Sequence, residues 1–358
     1  MNMSAPPSSP SSFFSFRLPS ELIAKEPPER RGIARDEVKL MIINRKNYQI
    51  DHARFYSLGR FLRPGDLLVF NTSRTLPAVL NGSNALVGSS IEVRLAEHLP
   101  DDSWLALLRC NKGDPFSCGL QRGMQINFGH GLTGTVYDHD ENINRLWKIH
   151  FSKSGAELME LLYRLGQPVR YEYLSASWDL DYYQTVYARE PGSAEMPSAG
   201  RAFTWKLLFD LKRSGVNGAY IVLHTGLSSY MDDILDAKHP ASEEEYFISE
   251  ATAEKINMTH GNGGRVIAVG TTVVRALESA ADITGKVTAM HGYTRLHITA
   301  NHILKTVNGL LTGLHEPEAS HLDLLTAFIP VEKIHKAYYE AVKRKYLWHE
   351  FGDLNLIL

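Results

Sequence analysis

The chain has 358 residues, 44% hydrophobic and 22% charged, with a formal net charge of −2. That length supports a large core and two domains, and the composition is that of an ordinary globular protein. The near-neutral balance excludes a generally basic nucleic-acid binder and leaves room for a local basic patch.

Two cysteines, Cys110 and Cys118, suit neither a disulfide framework nor a four-ligand zinc site, so a reduced, cytoplasmic setting and no metal are expected. No apolar stretch reaches membrane-spanning length. Residues 1–12 are rich in Ser and Pro, lack the features of a secretion signal, and read as a disordered extension.

Leu18-Pro19 and Leu22-Ile23-Ala24 mark a turn and a short helix that Pro27 and Pro28 end. Arg30, Arg31 and Arg35 follow, either as a solvated turn or as phosphate contacts. Residues 38–43 form a strand candidate. Pro64-Gly65-Asp66 then turns into the apolar strand Leu67-Leu68-Val69-Phe70-Asn71, which polar Thr72, Ser73 and Arg74 terminate. From residue 76 the texture changes. Alternating strands at 91–95, 104–109, 125–128, 134–137 and 146–151, separated by turn residues, predict an all-β sandwich or barrel.

Helical spacing returns at 156–162. Pro197-Ser198-Ala199-Gly200-Arg201-Ala202-Phe203-Thr204 predicts a turn that caps a helix from Trp205. Residues 219–223 are a buried strand ending in His224-Thr225-Gly226, 250–258 are helical, and 333–346 form an amphipathic helix with cations at its C-terminal end. No internal repeat is present.

The densest stretch runs from Gly263 to Ser279. A Gly pair leads to the apolar run 266–269, which reads as a buried parallel strand broken by Gly270. Thr271 or Thr272 is expected to cap the helix that follows. Arg275 is placed by spacing in the first helical turn, where the dipole disfavours a cation. Two partners suggest themselves: Glu278 three residues on, or an anionic ligand held by first-turn amides, the Thr hydroxyls and Arg275 together. The glycine spacing fits neither a dinucleotide fingerprint nor a P-loop.

Ligands of open α/β sheets collect at the carboxyl ends of strands. Asn71 with Arg74, His224, Thr271 with Thr272, and His315 after Leu310-Leu311 all follow strand-like runs, which predicts one shared pocket.

These motifs carry a resemblance. The chain resembles the S-adenosylmethionine:tRNA ribosyltransferase-isomerase family of queuosine biosynthesis from Phe16 to Leu358. The carriers are Leu18-Pro19 with Leu22-Ile23-Ala24, Pro64 through Asn71, Tyr183-Gln184-Thr185-Val186-Tyr187, Gly263 through Ser279, and Gly352-Asp353. The resemblance implies an α/β (α+β) two-domain fold: an α/β domain of residues 13–75 and 153–358 that carries the site, interrupted by an inserted β-barrel domain of residues 76–152. It also implies the reaction. The ribosyl part of S-adenosylmethionine is transferred to 7-aminomethyl-7-deazaguanine in tRNA and rearranged to an epoxycyclopentane, and adenine and methionine leave. The product is epoxyqueuosine-tRNA. S-adenosylmethionine is then a consumed co-substrate, and no separate cofactor is implied. A monomer is expected.

That chemistry needs a base to take the proton beside the sulfonium, an acid for the departing adenine, and polar groups for carboxylate and ribose. His224, His239, Glu244 and His315 are the catalytic candidates. Asn71, Arg74, Gly200, Arg201, Gly226, Thr271, Thr272, Arg275 and Glu278 are the substrate-binding candidates. Four positions depart from the family pattern: Thr72 replaces an Asp, Ala202 a His, Ser242 a His and Gly313 an Asn. They leave open a divergent paralogue that binds a nucleoside or RNA without this chemistry.

Overall fold

The computed structural model describes residues 16–84, 90–110, 119, 121–141, 143–230, 243–317 and 321–358. The chain divides into two compact units. One comprises Met1–Asn71, Ser198–Ile221 and Pro240–Leu358, the other Thr72–Pro197 and Val222–His239.

In chain order the strands are β1 (Lys39–Ile43), β2 (Ile50–Arg54), β3 (Leu67–Asn71), β4 (Ser73–Thr75), β5 (Val79–Ser83), β6 (Ser90–His98), β7 (Trp104–Cys110), β8 (Gln125–Gly129), β9 (Leu132–His139), β10 (Leu146–Phe151), β11 (Glu190–Ser193), β12 (Asn217–Leu223), β13 (Glu244–Ile248), β14 (Val266–Val269), β15 (Met290–Thr294), β16 (Gly309–Gly313) and β17 (Leu354–Ile357). The helices are α1 (Gly155–Leu165), α2 (Trp205–Arg213), α3 (Glu250–Gly261), α4 (Thr271–Ala280), α5 (His321–Leu325) and α6 (Val331–Lys343).

A nine-stranded sheet, in the order β15-β13-β12-β3-β14-β16-β17-β1-β2, forms the first unit's centre. β3, β14 and β16 run parallel, as the continuous apolar runs 67–70 and 266–269 predict, because both faces of such strands are covered. Every residue of β3 and β14 is buried. Asp66 fixes where these two strands begin. It is fully buried and accepts from Arg265 Nε at 2.9 Å and Nη2 at 2.6 Å. Asp353 plays a similar part for β1: its carboxylate accepts the Lys39 amide at 2.6 Å and the Leu347 amide at 2.7 Å. The Gly352-Asp353 motif is thus a structural clamp. β17 enters the same sheet, parallel to β1 and antiparallel to β16.

The second unit holds a closed barrel, β10-β7-β6-β5-β8-β9, with alternating burial along β8 and β9. The strands β5 to β10 therefore form a β structure separate from the sheet of β14. This unit is wider than the expected 76–152, for a packing reason. Leu158, Leu161 and Leu162 of α1 bury into the barrel core, Val79 and Gln167 exchange backbone hydrogen bonds at 2.9 Å, and β4 pairs with β11. Cys110 is disulfide-bonded, which departs from the reduced thiol expected; Cys118 lies outside the described residues. Among the described residues no helix is long and apolar enough to cross a membrane.

Candidate active site

In the first unit the carboxyl ends of β3, β14 and β16 lie side by side. Ala268 is level with Val69 and Leu310, and Val269 with Leu311. One step further the chain reaches Asn71, Gly270 and Thr312. Asn71 is buried, and the Gly270 amide donates to Leu311 O at 2.8 Å. Gly270 has φ +103°, a conformation L side chains rarely adopt. It is the residue that caps α4, with no side-chain cap bond. Thr271 and Thr272 are consequently the first two helical residues and not the cap expected. A Cβ on Gly270 would lie 3.7 Å from Ala199 Cβ, so the turn Ser198–Gly200 abuts the same edge. This unit thus brings together Asn71, Gly200, Thr271, Thr272 and the His315 segment.

His315 follows β16. Its Nε2 is 3.0 Å from Thr312 Oγ1, its carbonyl accepts from Trp348 Nε1 at 3.1 Å, and its ring stacks on His321 at 4.7 Å between centroids. Burial, with the neighbouring His321 and His349, pushes its pKa well below the ordinary 6.5. It is neutral at pH 7, the form a general base needs. The unfolded chain takes up this proton near 6.5 and the folded one does not, so stability falls as pH drops below that value. The slope for one proton is up to about 1.4 kcal/mol per pH unit. His315→Gln should show a smaller loss between pH 7 and 5 than wild type in urea unfolding. Equal losses would mean that this histidine titrates normally.

Arg275 differs from its expectation. It is the fifth residue of α4, past the first turn, and does not pair with Glu278. Its Nη1 bonds the Glu244 carboxylate, its Nε donates to Leu296 O at 3.0 Å and its Nη2 to Thr294 O at 3.4 Å. Burial raises the Glu244 pKa, and the Arg275 charge and hydrogen bond oppose that. Glu278 instead accepts the backbone amides of Lys305 at 2.9 Å, Thr306 at 3.1 Å and Val307 at 3.0 Å. A carboxylate so committed shapes the 305–307 loop; this is a correction to its reading as Arg275's partner.

Arg201 is 3% exposed, donates to Glu29 at 2.8 Å and packs its guanidinium over the Phe351 ring at 5.1 Å. Arg31 donates to the carbonyls of Glu26 and Phe351, both at 3.0 Å, and Arg35 to Glu29 at 3.2 Å. Arg31 and Arg35 are therefore tied into the fold and not a solvated turn.

The second unit carries His224, Gly226 and Arg74. His224 Nδ1 is 2.7 Å from Ser73 Oγ, which is 2.6 Å from Ser193 Oγ, which accepts the Thr225 amide at 3.1 Å. Gly192 allows this arrangement, since a Cβ there would fall 2.3 Å from His224 Nδ1. A Cβ on Gly226 would lie 3.3 Å from Ala96 O. The Arg74 guanidinium lies 5.9 Å from the Tyr163 ring centroid, and its Nε is buried without a hydrogen bond among the described residues. Sequence reasoning missed Ser73, Gly192 and Ser193 as supports; the Pro191-Gly192-Ser193 turn signal was the available clue. It also missed Glu195. That carboxyl accepts from the Ser228 amide at 2.6 Å and from Tyr171 OH, and burial raises its pKa. His239 and Ser242 lie outside the described residues.

A family model described as "Queuosine biosynthesis protein" matches residues 11–357. The S-adenosylmethionine:tRNA ribosyltransferase-isomerase of Desulforamulus reducens is 37% identical over 351 residues, covering 96% of this chain and 98% of that protein. The enzyme of the same name from Clostridioides difficile is 35% identical over 350 residues, with the same coverage. The crystal structure of S-adenosylmethionine tRNA ribosyltransferase from Thermotoga maritima aligns with a TM-score of 0.54 at 30% identity, over 97% of this chain and 100% of that one.

Proposed function

Because this chain belongs to the queuosine biosynthesis family of S-adenosylmethionine:tRNA ribosyltransferase-isomerases, we propose that it transfers the ribosyl part of S-adenosylmethionine to 7-aminomethyl-7-deazaguanine in tRNA and isomerises it to epoxyqueuosine. Near-complete coverage of relatives at 35–37% identity carries this reading. The four departures fall on single side chains within that coverage, and the relatives matched carry the enzyme's name.

The chemistry divides among the chain's own groups. His224, oriented through Nδ1 by Ser73, offers Nε2 as the base for the acidic carbon beside the sulfonium. His315, held neutral, is a second candidate base, and the proton that the departing adenine needs is the one His224 has taken. The first-turn amides of α4, with the hydroxyls of Thr271 and Thr272, suit the methionine carboxylate. Asn71 and Gly200 are the further substrate-binding candidates of the first unit, and Gly226 and Arg74 those of the second. Arg275 with Glu244, Arg201 with Glu29, and Glu278 act as positioning residues, since each is engaged by the fold. S-adenosylmethionine is consumed, and methionine and adenine are released one for one.

The test is purified protein with S-adenosylmethionine and tRNA carrying the 7-aminomethyl base, scored for free adenine and nucleoside mass. One adenine per modified nucleoside is expected. Binding of both substrates with no adenine release would overturn the assignment in favour of a binding paralogue.

A further inference from the structure

A tRNA is a polyanion far larger than its one reacting base, and proteins hold such chains by backbone charge and by stacking on unpaired bases. Helix α2 and the turn Phe55–Arg60 make a surface of this kind within the first unit. α2 buries Leu207 and Leu211 and leaves Trp205 51% and Phe209 57% exposed. The two rings sit one helical turn apart, 6.1 Å between centroids and 28° between planes. A lone apolar residue on a surface needs no explanation, but an adjacent Trp–Phe pair does.

The turn is joined to the helix. A Cβ on Gly59 would stand 3.3 Å from Leu211 Cδ2, and Phe203 meets Phe55 edge-on at 4.9 Å. At the start of α2, Thr204 Oγ1 donates to Asp36 at 3.1 Å, and the adjacent Glu37 carbonyl accepts from Arg54 Nη1 at 2.7 Å. β2 and the turn enclose an open cavity of ≈ 410 Å³, whose lining includes Arg54, Arg60 and Tyr56. Tyr56 is 55% exposed.

The charge around these rings decides the occupant. Arg54, Arg60 and Lys212 are exposed, while Lys206 and Arg213 share the single carboxylate of Asp210. The other carboxylates are Asp51 in the cavity lining and Asp36 and Glu37 beside the start of α2, so five cations stand against four carboxylates, in a chain whose net charge is −2. An apolar pair alone would suit a protein partner; rings flanked by unshared cations match a single-stranded polyanion. We propose that this surface binds the tRNA away from its reacting base: Arg54, Arg60 and Lys212 take backbone phosphates, and Trp205, Phe209 and Tyr56 stack on unpaired bases. The inference rests on the reading that the substrate is a tRNA.

The experiment measures affinity of the full chain for tRNA carrying the 7-aminomethyl base, by fluorescence polarisation between 50 and 200 mM salt. Two double variants are compared, Trp205→Ala with Phe209→Ala, and Arg54→Ser with Arg60→Ser. Melting temperatures verify folding. Loss of one stacked base weakens binding roughly 5- to 150-fold. The aromatic pair should weaken binding by at least that lower limit. Loss of two phosphate contacts should lower the slope of log affinity against log salt by about 1.4–1.8. Unchanged affinity and slope in both variants, with normal adenine release by wild type, overturns this inference alone. So does wild-type self-association that Trp205→Ala abolishes while tRNA affinity stays constant. A wild type that neither binds tRNA nor releases adenine overturns this inference together with the functional reading.

Discussion

Arg275→Ala is expected to lower the unfolding free energy by about 3–5 kcal/mol, the cost of removing one partner from a buried ion pair. Arg275 and Glu244 side chains are 12% and 8% exposed, and two backbone carbonyls, Leu296 O and Thr294 O, share the same guanidinium. The substitution strands a carboxylate and two acceptors. Glu244 can limit the damage by taking a proton, because burial already raises its pKa. The folded variant then binds a proton that the unfolded chain, with an ordinary carboxyl near 4.5, has released. A carboxyl with a raised folded pKa favours folding at low pH, so the variant should gain stability as pH falls from 7 toward that value. Adding Glu244→Gln to Arg275→Ala should recover part of the loss. Urea titrations at pH 7 and 5.5 supply all three numbers. A change within ±0.5 kcal/mol, the range for a surface substitution, would show that the pair contributes nothing.

His224→Ala should reduce the rate of adenine release by about 10²–10⁴, the usual worth of a positioned acid or base. Gly192→Ala should do nearly the same without touching the histidine. The added methyl would lie 2.3 Å from Nδ1 and 2.4 Å from Cε1, so the ring must leave its place and lose Ser73. Ser73→Ala removes the hydrogen bond but not the space, and should fall between the two and wild type. Single-turnover kinetics with all three variants check the order, with circular dichroism to verify folding. If Gly192→Ala keeps activity within twofold of wild type, the ring's position does not matter and His224 is not the proton carrier.

Local chemistry made much of this molecule readable in advance. The run 266–269 is β14 to the residue, because an apolar tetrad between a Gly pair and a Gly has few alternatives. Thr204 caps α2 through a 3.1 Å bond from the Leu207 amide, as its place before Trp205 predicts. Five of the six barrel strands, β6 to β10, were legible from their alternation. The sixth, β5, was not, and neither were β17, β13 and β11. β17 is four residues long, β13 opens on two glutamates, and β11 is Glu-Pro-Gly-Ser; their pairing comes from distant partners. The site divides in the same way. Strand-end positions could be read from sequence because they follow apolar runs. The partner of Arg275 could not, since helix spacing rules reach three or four residues and Glu244 is 31 away. Ser73 and Ser193, 120 residues apart, are another pair that only the fold brings together.

The place of β17 has a consequence for how the protein is made. β1 pairs with β17 from Leu40↔Leu354 to Ile43↔Ile357, joining segments more than 300 residues apart. Contacts of such separation are slow to form, because the intervening chain must be ordered or looped first. The barrel strands, all within residues 79–151, can assemble on the ribosome as they emerge. The β1–β2 hairpin emerges earlier than any of them, yet has no sheet to join until residues 354–357 arrive. Until then β1 and β16 each present an open edge to other nascent chains. A ribosome stalled before residue 354 would therefore hold a finished barrel beside an unfinished and adhesive sheet, and quality control should see the two halves of one molecule differently.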